Sequence, residues 1–277
     1  MDIQVDLANT LYIQSGMLQA GYLIWSLYGE SMHQTQVQIK QKFPTFQIRE
    51  IGEKNHGGYI KLPPLRAGDT FKFNTTLIFS TRSVKFPFIN FKFDTYPKTL
   101  TAQYCKSSKF WETNDIELNE IAHNLLTESG TDVLKYLQKA FTFVQENIKF
   151  RENLDRRLGA KLAIKEGKGD CDEFSDLFIT LCRINRIPAR RIIGILLTDV
   201  NNFSLHAWSE VYIPAYEKWV PFDTALGEFA SIKWNYIIRA HIGLTSEVPL
   251  IRFKSKVGKD FRATFEKNDI SQLSLLN

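Results

Sequence analysis

Apolar and polar positions alternate through the first hundred residues of the chain. Gln36-Val37-Gln38-Ile39-Lys40 and Phe71-Lys72-Phe73-Asn74 keep a period of two, and residues 86–93 place apolar rings at Phe86, Phe88, Phe91 and Phe93. A period of two sends successive side chains to opposite faces, as in a half-buried strand. Turn chemistry separates the runs at Gly29-Glu30-Ser31, Asn55-His56-Gly57-Gly58, Pro63-Pro64 and Ala67-Gly68-Asp69. Short strands at such spacing predict an all-β sandwich over residues 1–110, with the Phe-rich stripe as its core.

The period lengthens near residue 112. Leu118, Ile121, Ala122, Leu125 and Leu126 fall on one face of a helix that Asn114-Asp115 can cap. Ser129-Gly130 breaks that pattern. Ser129 or Thr131 can cap a second helix, whose face carries Val133, Leu137, Ala140, Phe141, Val144 and Ile148. A short helical piece over residues 158–164 runs into Gly167 and Gly169, and a further helix over residues 172–185 presents Phe174, Leu177, Phe178, Leu181 and Cys182 before Pro188 ends it. Strands are expected at residues 191–197, 206–213 and 218–222. Alternating runs at residues 249–253 and 261–265 supply edge strands. Residues 111–277 therefore read as a second, α+β domain, with the last helix packed on an antiparallel sheet.

Composition narrows the class. Of the 277 residues, 44% are hydrophobic and 23% charged, the averages of folded soluble chains, which excludes disordered and fibrous classes. The net charge of +5 is scattered. Only Arg156-Arg157 and Arg190-Arg191 are adjacent, and they read as solvated faces, so nucleic acid is not an expected partner. The apolar window at residues 17–28 is broken by Gln19, Gly21 and Ser26 and falls short of the roughly 20 residues that span a bilayer. The first residues are acidic, unlike an export signal. Three widely spaced cysteines, Cys105, Cys171 and Cys182, do not form a disulfide framework. The expectation is a cytoplasmic protein without a membrane partner.

Candidate chemistry sits where glycines meet a helix start. In Gly167-Lys168-Gly169-Asp170-Cys171-Asp172-Glu173 the thiol of Cys171 occupies the first helical turn, where the helix field favours a thiolate. Asp170, Asp172 and Glu173 oppose it with three carboxylates, so a cationic imidazole is needed nearby. His206 lies on the next strand but one. A turn centred between Pro214 and Ala215 sets His206 opposite Asp223 on a shared face, with Cβ atoms about 4.5–5.5 Å apart. The aspartate then accepts from one ring nitrogen and leaves the other for Cys171. A slip of one residue would turn Asp223 to the opposite face. A zinc site from Cys171, His206 and Asp223 has suitable ligand types but lacks the paired spacings of zinc sites. Cys182 reads as core and Cys105 as incidental.

These residues carry a resemblance. Gly169-Asp170-Cys171-Asp172-Glu173-Phe174-Ser175, Arg186-Ile187-Pro188-Ala189-Arg190, His206-Ala207-Trp208-Ser209-Glu210-Val211-Tyr212 and Trp219-Val220-Pro221-Phe222-Asp223 resemble the transglutaminase-like superfamily of papain-type thiol enzymes over residues 115–225. The N-terminal β region is similar to the accessory sandwich of its bacterial and archaeal members. The resemblance implies a Cys171-His206-Asp223 triad and acyl transfer through a thioester on a protein or peptide substrate, with an amine as a second acceptor in transglutaminases. It implies neither metal nor organic cofactor. Members act as peptidases, amidases or transglutaminases, and some have lost catalysis. The alternative is accordingly an inactive binding or scaffolding module. The second oxyanion donor is open among Gln145, Asn147 and Trp208.

Overall fold

Strand β1 (Asp2–Ser15) buries Ile3, Val5 and Leu7 on one face while the residues between them stay partly exposed. In a computed structural model of the chain it lies at the centre of the first of two sheets. All residues are described except 88–90, 153–155, 200–201, 247–249, 255–256, 259, 267–268 and 277, and the side chains of Gln41 and Asp94. The strands that follow are β2 (Gly21–Gly29), β3 (Gln34–Phe43), β4 (Gln47–Glu50), β5 (Asn55–Leu62) and β6 (Thr70–Thr81). β1 pairs with β6, and β6 with β3, while β2 pairs with β5, and β5 with β4. Leu23, Trp25 and Leu27 of one sheet meet Val5, Leu77 and Phe79 of the other in a shared core, the expected sandwich.

A helix within the expected β region, α1 (Lys98–Tyr104), leads into the second unit. There α2 (Ile116–Ser129), α3 (Val133–Asn147), α4 (Ala160–Glu166) and α5 (Cys171–Ile184) surround a sheet of β7 (Ala189–Asp199), β8 (Asn202–Ile213), β9 (Lys218–Asp223), β10 (Glu228–Phe229) and β11 (Tyr236–Ile242). Its order is β10-β9-β8-β7-β11, antiparallel throughout. Asp115 caps α2 by accepting from Leu118 N. α3 is capped by Asp132, through Lys135 N, and not by Ser129 or Thr131. A carboxylate one residue nearer the helix displaces the hydroxyls. The apolar faces of α2, α3 and α5 close on Val211, Val220 and Phe222 of the sheet. Among the described residues no helix is long and apolar enough to cross a membrane.

Two sequence expectations change. The boundary after residue 110 assigns residues 251–276 to the second domain, but their strands complete the sandwich. β12 (Ile251–Lys254) pairs with β2, while β13 (Arg262–Phe265) and β14 (Ile270–Leu276) share the free edge of β1. With 14 residues β1 is longer than either partner, so two short strands are needed to cover an edge that would otherwise invite intermolecular pairing. The Phe-rich stripe also changes core. Phe86, Phe91 and Phe93 pack with the helical unit, Phe93 edge-on to Tyr136 at 6.0 Å, and residues 88–90 of that stripe lie outside the described residues, as does Pro249 of the run at 249–253.

Candidate active site

The thiol's position follows from the helix start. Asp170 accepts from Asp172 N at 2.8 Å, and Glu173 reaches back to Asp170 N at 3.0 Å, completing a capping box. The other Glu173 oxygen takes Leu158 N at 2.7 Å, tying the preceding loop to the helix. Both glycines are structural. Gly167 ends α4 in a left-handed conformation, and a Cβ on Gly169 would lie 2.3 Å from Glu173 Cβ.

The neighbouring strands supply the partners. Tyr212 N bonds Pro188 O, so even-numbered residues of β8 pair toward β7 and odd-numbered ones toward β9. The β9 ladder stops at Ser209 opposite Phe222. Ala207 N–H, the next odd position, lies beyond that ladder and faces the Cys171 thiol, where it favours the thiolate. The thiol thus sits beside the backbone of the residue that follows His206.

His206 Nε2 lies 2.6 Å from Asp223 Oδ2, with both side chains buried. A carboxylate accepts, so Nε2 holds the proton and Nδ1 is the basic nitrogen. Asp223 is fixed on its other side as well: Oδ1 accepts Ala225 N (3.1 Å) and Leu226 N (3.2 Å). The hairpin register differs from the expected one. Residues 214–217 form a longer turn, so Asp223 continues to a place two residues along from His206. Because side chains alternate with a period of two, that slip keeps both residues on one face and the contact becomes diagonal.

Four further residues complete the surroundings; from sequence Trp208 is a candidate oxyanion donor and Arg191 part of a solvated doublet, while Tyr236 and Gly194 carry no reading. Tyr236 OH donates to Asp223 Oδ2 at 2.9 Å, and its ring lies edge-on to Trp208. Trp208 stacks on His206 at 6.0 Å between centroids. Gly194 makes room for that indole, since a Cβ would fall 2.5 Å from Trp208 Cη2. Arg191 pairs with Asp172. Its local signal was the doublet Arg190-Arg191, and the expected solvated face is overturned: Arg190 is buried against Glu210 (2.7 Å), Arg191 against Asp172, and Arg157 forks onto the buried Asp176. Gln145 and Asn147 give their amide N–H groups to Thr224 O and Phe143 O. Trp208 Nε1 is buried and has no partner among the described residues.

Burial, followed by the charges of Asp172 and Asp170, pushes the Cys171 thiol up to about 12; the Ala207 amide and Arg191 pull the other way. The resting group is therefore a thiol, which becomes reactive only when a base takes its proton. Removing a carboxylate charge favours the thiolate. Asp170→Asn, which keeps the cap, is expected to speed iodoacetamide alkylation of Cys171 roughly three- to tenfold at about pH 8, and Arg191→Met to slow it. Rates that move together in both variants would contradict this charge ordering. Asp170, Cys171 and Asp172 each offer one donor atom within 4.8 Å of the others, but Asp170 serves the cap and Asp172 the arginine.

With this geometry in place, likeness to known proteins takes a specific form. Residues 120–224 match the transglutaminase-like superfamily, so that stretch is a transglutaminase-like core, and a β-rich N-terminal unit precedes it. Among curated proteins, the uncharacterized protein YebA of Bacillus subtilis (strain 168) is 26% identical over 234 residues, 74% of this chain and 29% of its own length. The chain thus spans under a third of that relative. A crystal structure of a candidate cysteine protease from Cytophaga hutchinsonii has the same fold, with a TM-score of 0.63 at 16% identity over 99% of this chain and 97% of its own. The periplasmic domain of TgpA from Pseudomonas aeruginosa aligns with a TM-score of 0.42 at 10% identity, over 79% of this chain and 87% of its own.

Proposed function

We propose that the chain is a thiol-dependent acyl-transfer enzyme acting on carboxamide or peptide bonds of a protein or peptide substrate. His206 Nδ1 takes the thiol proton as Cys171 attacks the carbonyl. The S–C bond forms, the C–N bond breaks, and the imidazolium returns its proton to the departing amine. Water, or a second amine, then resolves the thioester, with His206 taking and returning a proton again. Hydrolysis is placed ahead of cross-linking. Asp170 has no ion-pair partner among the described residues, which suits a substrate bearing a cationic group near the scissile bond.

The observation that carries this reading is the 2.6 Å contact between the buried His206 and Asp223, on the strand whose Ala207 amide faces the Cys171 thiol. The thiol pushed up to about 12 supports the other reading, a binding module that keeps the fold without turnover. Alkylation separates them. If His206 serves Cys171 as base, iodoacetamide labels the wild type at about pH 7 at least roughly tenfold faster than His206→Ala. Equal rates in the two proteins would sink the enzyme reading.

A further inference from the structure

The sandwich touches the second unit along β11, the edge strand that carries Tyr236. Its side chains stand in for a missing neighbour strand. Gln34 Oε1 accepts Ile238 N at 2.9 Å, while its amide donates to Ile238 O at 3.3 Å and to Gly29 O at 3.0 Å. His33 Nε2 donates to Tyr236 O at 2.6 Å. Thr81 Oγ1 donates to Trp234 O at 2.6 Å, and Ser83 Oγ accepts Trp234 N at 3.0 Å. Every one of these bonds goes to backbone, so together they set where the strand runs on both sides of Tyr236. The tyrosine hydroxyl in turn shares Asp223 Oδ2 with His206.

We propose that the N-terminal sandwich is a positioning element of the active site: His33, Gln34 and Thr81 hold the backbone around Tyr236, and Tyr236 orients the Asp223 carboxylate toward His206. The proposal rests on the triad reading above. Tyr236 and Gln34 are positioning residues, since neither is argued to touch substrate. A carboxylate with one oxygen held by two backbone amides can still rotate about its outer bonds. The hydroxyl on the second oxygen removes that freedom, and its reach depends on a strand whose outer edge belongs to the other unit.

The test reads the iodoacetamide rate at Cys171 in the full chain at about pH 7, where His206 must free the thiol, relative to about pH 10, where hydroxide assists. That ratio cancels changes in access, so a loosened fold alone does not move it. Tyr236→Phe keeps the ring on Trp208 and removes only the hydroxyl, and it is expected to lower the ratio roughly fivefold, the worth of one hydrogen bond. Gln34→Met is expected to lower it by a smaller factor. The double variant is expected to be no worse than Tyr236→Phe, because Gln34 acts through Tyr236. Should Gln34→Met fail to fold, Thr81→Val gives the same comparison.

A ratio unchanged in Gln34→Met and Thr81→Val, or losses that multiply in the double variant, overturns the proposal. An unchanged ratio in His206→Ala overturns the triad reading instead. The two failures are therefore distinct.

Discussion

Asp269→Ala is expected to destabilise the protein by about 3–5 kcal/mol, measured by urea unfolding near neutral pH. Arg239 leaves β11 and enters the sandwich completely buried. There it donates through Nε to Leu27 O and through Nη2 to Ser26 O, each at 2.9 Å, and forks onto both oxygens of Asp269 at 3.1 and 2.9 Å. Trp25 Nε1 adds a third bond to that carboxylate at 2.6 Å. Removing the carboxylate leaves a guanidinium out of water with no counter-charge, which costs more than the pair contributes when intact.

Acid should imitate the mutation. Burial raises the Asp269 carboxyl, but the Arg239 charge and the bonds from Arg239 and Trp25 outweigh it, so the group ends below its ordinary value. A folded value below the unfolded one gives stability that is present above the ordinary carboxylate range and lost as pH falls through the folded value. The gap between wild type and Asp269→Ala should therefore narrow as pH falls below the ordinary carboxylate range. A loss under about 1 kcal/mol at neutral pH would show that Arg239 finds water or another partner instead.

Asp223→Asn is expected to leave the fold intact and to slow acylation of Cys171 by p-nitrophenyl acetate by about 10³–10⁴-fold. The reason lies in the two amides on Oδ1. Ala225 N and Leu226 N both donate, so an asparagine placed there turns its carbonyl to them and its NH₂ to His206 and Tyr236. His206 Nε2 must then accept, and its proton moves to Nδ1, which can no longer receive one from the thiol. An unchanged melting temperature with lost acylation is the expected pair of results. Retained acylation would mean that the amide is held the other way round, or that Asp223 does not orient the base.

The helices and the cap that places Cys171 at a helix start were readable along the chain because each depends on near neighbours. The faces of α2, α3 and α5 repeat at helical spacing, the Asp170–Glu173 box spans one turn, and Cys171 precedes an apolar helix. The His206–Asp223 pairing was readable for a subtler reason. The expected turn was misplaced, yet the error was two residues, and alternation forgives an even slip.

What local pattern could not supply was any partner chosen across the chain. Tyr236 reaches Asp223 only after β7 and β11 pair, and the pairing that moves residues 251–276 into the sandwich joins strands more than two hundred residues apart. Arg190 and Arg191 look like solvent-facing charges until the fold sets Glu210 and Asp172 against them. By itself the sequence determined a sandwich, a helical unit and a cysteine, histidine and aspartate at workable spacing. Only the tertiary structure decided which strands close the sandwich, which charges are buried, and that the edge of β11 is completed by side chains of the other unit, because hydrogen-bond partners for a sheet edge are set by packing and leave no periodic trace in either segment.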